Sequence, residues 1–328
     1  MKKAFLISSC CALLAGSGLE FQTVPVSATT PVLLTQTNNT NPTPPKVSTQ
    51  EELLAPGAAP RQELRFQPKA NTKQITTITT NMEAVGTLSG QPMPSMKLPT
   101  SVIKMETTIT QVDANGDIHS QYLFTDADVT PAPDTPPEMV NALRSAIKQI
   151  VGLKGTSIVD NRGQIKSGNI DLPEASDPIT NQLFKQISNS LAQSSSPLPQ
   201  EAIGIGAKWR VASQLNVGGI NLSQNTIYEL VALKDNVATF NVSLEQQAQS
   251  QKLNLPGMPA GATFTIKSLK SQGQGQIVVP LDMVIPVRSN ISVRSQNQMS
   301  VKPANANEDA TFETNISMQM TLESQNPN

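Results

Sequence analysis

The chain has 328 residues, with 24 Lys plus Arg against 25 Asp plus Glu, a formal net charge of −1, and aromatic residues at only 3%. So balanced a charge, without basic runs, removes the main attraction to nucleic acid and to anionic membrane surfaces. With one Trp and two Tyr, the chain also lacks the stacking rings of single-strand readers and the aromatic girdles of outer-membrane barrels.

Lys2 and Lys3 precede an apolar stretch from Ala4 to about Leu19, the charged and apolar regions of a secretory signal. Small residues at Val26-Ser27-Ala28 place the expected cleavage after Ala28, with an earlier cut after Ser17 as an alternative. Ile7-Ser8-Ser9-Cys10 also fits a lipobox with Cys10 as the acylated residue. Only Ala4 to Ile7 stand before it, short of the roughly 7–15 apolar residues such a region needs, so lipidation is the less favoured reading. The apolar stretch falls short of the roughly 20 residues of a membrane span, and nothing later rivals it. No transmembrane span is expected in the mature protein. Cys10 and Cys11 are the two cysteines, so the expected mature chain is held by burial without disulfides.

The expected division is a signal peptide over 1–28, a disordered linker over 29–62, a β-rich globular unit over 63–324 and a tail over 325–328. The linker is rich in Thr, Pro, Asn and Ala, too little apolar surface to offset ordering entropy. From Glu63 onward, alternating Thr, Val and Ile signal half-buried strands. Strands are expected at 64–68, 74–88, 101–112, 117–126, 156–160, 164–170, 207–217, 225–233, 237–247 and 263–279. Two more have clean faces: Met283, Ile285, Val287, Ile291 and Val293 inward, then Phe312, Thr314, Ile316, Met318, Met320 and Leu322. Asp113-Ala-Asn-Gly116, Asp160-Asn-Arg-Gly163 and Lys234-Asp-Asn236 read as hairpin turns. The hairpins near 108–124 and 228–244 look alike, which raises a division of the unit into similar halves, 63–196 and 197–324.

Two helices interrupt the strands. Thr135-Pro-Pro-Glu138 reads as a capping box before a stripe of Met139, Leu143, Ile147, Ile150 and Val151, ending at Gly152. Ser176 or Asp177 caps the second, whose face carries Ile179, Leu183, Phe184, Ile187 and Leu191. The expected fold class is mainly β with two helices (α+β), a large antiparallel curved sheet or half-barrel covered by helices. That shape invites a fold-level analogy to periplasmic lipoprotein carriers.

Catalytic chemistry is hard to assemble from these residues. His119 is the one histidine, which removes most metal sites and His-dependent triads, and it reads as a solvated strand residue. Asp113, Asn115 and Asp117 have calcium-loop spacing, yet Ile118 and Phe124 stand where such a loop needs Gly and Glu. Gly204-Ile-Gly206 lacks dinucleotide spacing and reads as a strand entrance. Asp126 and Asp128 would be the pair for a carboxylate-only hydrolase, the least favoured reading. Trp209 reads as a core anchor. Ten of the 11 methionines lie beyond the signal, and such adaptable side chains suit both apolar cavities and ordinary cores.

Leu64-Arg-Phe66, the Thr-rich strand after it, Val112-Asp-Ala-Asn-Gly-Asp117, the helix before Gly152, the Asp160–Gly163 turn and Gly206-Ala-Lys-Trp209 occur in an order that resembles the bacterial exported family called domain of unknown function 6263. The likeness spans most of 63–324 and brings no catalytic residues with it. The expected protein is therefore a non-enzymatic exported protein of the periplasm or cell envelope, without cofactor or metal. Its expected partner is an apolar small molecule or lipid, held between sheet and helices against Leu143, Ile147, Phe184 and Ile187. A structural or interaction module with envelope-protein partners is the alternative.

Overall fold

The computed structural model describes residues 49–133, 135–171, 197–217, 220–253, 263–302 and 309–326. The strands are β1 (Gln50–Ala55), β2 (Lys73–Leu88), β3 (Gln91–Lys97), β4 (Thr100–Val112), β5 (Ile118–Thr130), β6 (Lys154–Val159) and β7 (Ile165–Asp171), followed by β8 (Lys208–Val217), β9 (Ile220–Lys234), β10 (Val237–Ala248), β11 (Gln251–Leu253), β12 (Thr263–Pro280), β13 (Arg288–Lys302) and β14 (Ala310–Gln325). They form one antiparallel sheet in the order β1-β8-β9-β10-β12-β13-β14-β2-β4-β5-β6-β7, with β11 beside β12 and β3 beside β2. Helix α1 (Pro137–Lys148) is the single helix among the described residues.

Turn chemistry sets the registers. Gly116 and Gly163 take φ of 85° and 99°, and Asp235 and Asn236 take 50° and 63°, the left-handed angles that tight hairpins require. The β14–β2 ladder, Met318 opposite Met82, joins the strands of 63–196 to those of 197–324, so the boundary at 196 does not divide the sheet. β1 then adds to β8 at the far edge, Leu53 opposite Trp209. Residues 50–55 thus belong to the sheet although their composition reads as linker: once β8 offers a partner edge, Leu53 is enough to anchor them on the core.

The sheet curls until its two ends share a core. Ile118 and Val159 from β5 and β6 cluster with Trp209 and Val211 from β8, and with Leu230, Phe240 and Val279. Arg162, in the β6–β7 turn, donates to Glu51 of β1 at 2.9 Å and to the Leu198 carbonyl at 3.2 Å. This end is closed by chain without regular structure, which carries Leu64, Phe66, Leu198, Ile203, Leu281, Val284 and Ile285, all buried.

Several sequence expectations are corrected here. Residues 64–68 form no strand; Leu64 and Phe66 plug the closed end instead. The run through Met283, Ile285 and Val287 is a turn before β13, which starts at Arg288, because Pro286 cannot donate to a ladder. Helices do not cover the sheet, so the fold class is mainly β with one described helix. The second expected helix, with Phe184 and Ile187, lies outside the described residues, as do Cys10 and Ala28. β6 pairs with β5 over 118–123 only, and α1 continues along the rest of β5, where Arg144 donates to the Val129 carbonyl at 3.0 Å. It shields a strand edge rather than a face. Its buried side chain is Val140, with Leu143 and Ile147 half-buried. The capping box does not form: Pro136 occupies the cap without a side-chain bond, and the Thr135 hydroxyl reaches toward the Lys97 carbonyl at 3.5 Å.

Candidate functional site

Alternate residues of every strand face the inside of the curl. One ring runs Ile103, Ile78, Leu322, Ser289, Ile277, Phe240 and Leu230 across β4, β2, β14, β13, β12, β10 and β9. Along β2–β6 and β8–β14, no inward position carries Asp, Glu, Lys, Arg or His. The charges of these strands point out: Lys73 to Glu106 at 2.9 Å, Lys104 to Asp126 at 3.5 Å and Lys208 to Glu229 at 3.5 Å. On β1, Glu51 is the inward acid, and Arg162 neutralises it.

Within this neutral face, a row of uncharged polar side chains crosses five strands: Ser213, Gln224, Gln246, Ser271 and Ser295. All are buried. Gln246 donates to Gln224 at 2.7 Å, and the Ser271 and Ser295 hydroxyls share a bond of 2.8 Å. Next to them the Asn297 side-chain oxygen is buried without a hydrogen-bond partner. Apolar layers flank the row, with Val211, Leu244, Val293 and Met318 on one side and Leu215, Leu222, Ala248 and Leu269 on the other.

The inward face is not uniformly shielded. On β8–β13 it is largely buried, whereas Ser101, Ile103, Thr80, Met82, Ala84 and Ile316 on β4, β2 and β14 are half-exposed. These six neutral residues form an accessible strip at the centre of the sheet. No expected site residue falls there. The strip escapes sequence reading because its residues alternate like those of any strand, and their exposure depends on how far the sheet curls.

The residues singled out by sequence occupy other places. Leu143 and Ile147 lie on α1, which runs beside β5. Trp209 is 2% exposed, stacks on Tyr228 with centroids 5.3 Å apart, meets Phe240 edge-on at 5.5 Å and donates its indole N–H to the Pro197 carbonyl. It is a core anchor. Gly204-Ile-Gly206 leads into β8, and the Gly206 N–H donates to the Leu230 carbonyl at 2.7 Å.

Asp126 and Asp128 do not converge: both face outward, one on Lys104 and the other on Arg144 at 2.7 Å. The Arg144 guanidinium, joined by the Val129 N–H, holds the Asp128 carboxyl below its ordinary range. In the Asp113–Asp117 hairpin the cation positions are taken by protein groups. His119 meets Asp113 at 2.7 Å, and Lys166 approaches both Asp117 oxygens at 2.6 and 2.8 Å. His119 and Gln111 lower the Asp113 carboxyl, and the bond to Asp117 raises the Lys166 amine. Burial raises the Tyr122 hydroxyl, which donates to the Asn169 carbonyl at 2.7 Å.

A separate cleft of about 240 Å³ lies between the sheet ends, lined by Thr49, Glu51, Leu53, Arg162, Gln164 and Gln200 among others. Its polar and charged walls do not suit an apolar guest. Among the described residues, no group of three or more His, Cys, Asp or Glu could hold a metal ion, and no helix is long and apolar enough to cross a membrane.

No family model and no curated protein matches the chain. Similar solved structures include an anion-selective porin from Comamonas acidovorans, 10% identical with a TM-score of 0.22, covering 76% of this chain and 98% of that one. The P. putida toluene transporter TodX is 9% identical with a TM-score of 0.22, over 80% and 91% of the two chains. Pseudomonas aeruginosa OpdQ is 6% identical with a TM-score of 0.20, over 77% and 98%. Similarity of this order carries no argument about fold or function.

Proposed function

We propose that the protein is a non-enzymatic component of the bacterial cell envelope or periplasm that binds an uncharged, largely apolar small molecule or lipid against the inward face of its curled sheet. The observation that carries this reading is the accessible strip on a face where β2–β6 and β8–β14 place no Asp, Glu, Lys, Arg or His. A charged guest would lose hydration there and find no counter-charge, at a cost of several kcal/mol per ion. An acid or base for catalysis would have to titrate inside the curl, and β2–β6 and β8–β14 place no Asp, Glu, Lys, Arg or His there. Export rests on the N-terminal signal pattern alone.

Binding is tested with an apolar fluorescent probe, phenylnaphthylamine, and by native mass spectrometry with lipid extraction on protein purified from its own host. Probe binding is expected in the native chain and lost in Ile103→Glu, with the outward neighbour Thr79→Glu as control. An extractable adduct that leaves on denaturation supports the reading. A bare mass together with no probe binding overturns it. That outcome favours the second reading, an interaction module with a packed interior, for which the near-complete burial of inward residues on β8–β13 speaks.

A further inference from the structure

Along β13 the inward residues run Ile291, Val293, Ser295, Asn297 and Met299, two polar side chains set into an apolar series. Their register ties them to the accessible strip. Ser213, Gln224, Gln246, Ser271 and Ser295 stand opposite one another in successive ladders, and the same level continues through Ile316 to Ala84. The buried polar row therefore ends where the strip begins. The next inward pair is Asn297 opposite Thr314. Asn297 is also diagonal to Ile316, a separation of about 7–8 Å that a guest lying on the strip can bridge.

Asn297 is 5% exposed, and Thr314 is half-buried. The Asn297 amide N–H donates to the Thr314 hydroxyl at 3.4 Å, while the amide oxygen has no hydrogen-bond partner among the described residues. A buried acceptor left unpaired costs stability that an apolar side chain of the same size would not. Packing therefore does not account for an amide here. A single long bond also holds it loosely enough for its oxygen to turn onto a group arriving over Ile316. The Thr314 oxygen accepts the amide N–H, which leaves its own O–H to donate.

Given the apolar guest proposed above, on which this inference rests, we propose that the guest ends in a hydroxyl, or another neutral group that both donates and accepts. Asn297 and Thr314 hold that end while the apolar body lies along Ile316, Ala84 and Met82. A hydroxyl accepts from Thr314 and donates to the Asn297 oxygen. An ether can only accept, and a hydrocarbon does neither. A carboxylate would carry charge onto a face where these strands place no counter-charge. The ligand class is thus a long-chain alcohol or acylglycerol rather than a hydrocarbon or a fatty acid.

The test uses the full chain loaded with phenylnaphthylamine, displaced at neutral pH by decanol, by its isomer methyl nonyl ether and by decanoate. Decanol is expected to displace the probe about tenfold better than the ether, with decanoate weakest. In Asn297→Leu and in Thr314→Val the alcohol is expected to fall to within about twofold of the ether, whose own affinity stays unchanged. Asn297→Leu should fold with a Tm no lower than the parent's, because it removes the unpaired acceptor. Ser213→Ala, at the far end of the polar row, keeps the preference for alcohol. A parent chain that binds the probe but takes alcohol and ether equally, or takes decanoate best, overturns this inference alone. So does a preference that survives both substitutions. A parent chain that binds neither the probe nor any of the three guests overturns the binding reading as well.

Discussion

The two ends of the curled sheet follow the same alternating strand pattern yet differ in how they are finished. At one end, irregular chain fills the curl, Trp209 stacks among Tyr228 and Phe240, and Arg162 ties β1 to the β6–β7 turn. At the other, the β2–β3 hairpin leaves Val85, Leu88 and Met96 in solvent. Alternation makes a sheet with two faces. It is the non-repetitive segments that decide which end closes and becomes the stable anchor, and which end stays open to solvent.

The contrast is sharpest at Trp209. Trp209→Ala removes two ring contacts and the bond to Pro197 from a fully packed site, and is expected to cost about 3–5 kcal/mol, read by urea unfolding. A loss below 1 kcal/mol would mean that the closed end is no anchor. Gly204→Ala comes next, because a Cβ there would overlap the Ala58 carbonyl oxygen. Overpacking of backbone against backbone is expected to cost roughly 1–3 kcal/mol, with Tm as readout.

Arg162→Ala removes a shielded ion pair and the bond to the Leu198 carbonyl. Charged hydrogen bonds of this kind contribute about 1–2 kcal/mol after discount for partial exposure. Amide exchange should accelerate across β1 and leave β12–β14 unchanged; uniform acceleration would instead show that the clasp supports the whole sheet. At the open rim, Met96→Leu is expected to stay within about 0.5 kcal/mol, as for other exposed substitutions. A larger loss would show that the rim is packed after all.

The smallest effect concerns pH. Asp113 is depressed by His119 and then by Gln111, so its contribution is present above the ordinary aspartate value. It is lost as pH falls through its own lower value. Asp113→Asn should flatten the acid limb of the stability curve; an unchanged limb would show that the hairpin bonds add nothing.

Much of the sheet was legible in advance. The inward sets of β14 and of β13 from Ile291, the opposition of His119 to Ile118 and Tyr122, and the three hairpin turns all follow from alternation and left-handed turn residues. The strip was not legible. Thr80, Met82 and Ile316 repeat like buried residues elsewhere in the same strands, and no local signal says that β8–β13 are shielded while β2 beyond Ile78 is not. The helix misled for a related reason. Its apolar stripe correctly demands a partner, but it found the free edge of β5 instead of a face, an outcome that depends on β6 ending its pairing at Leu123.

The sequence by itself determined that the chain makes antiparallel strands with one neutral and one charged face, because side-chain period and turn geometry act within a few residues. Parity assigns most charges outward, but Asp126 and Asp128 share the parity of Ile118 and Tyr122, and it is the register shift between Phe124 and Asp126 that turns them outward. Only the tertiary structure decided that β1 joins β8, that β14 joins β2, that Leu64 and Phe66 plug one end and that a bulge sets Met93 and Met96 on one face at the other. Those outcomes depend on contacts between residues more than a hundred positions apart in several cases, where burial of whole faces outweighs any local preference.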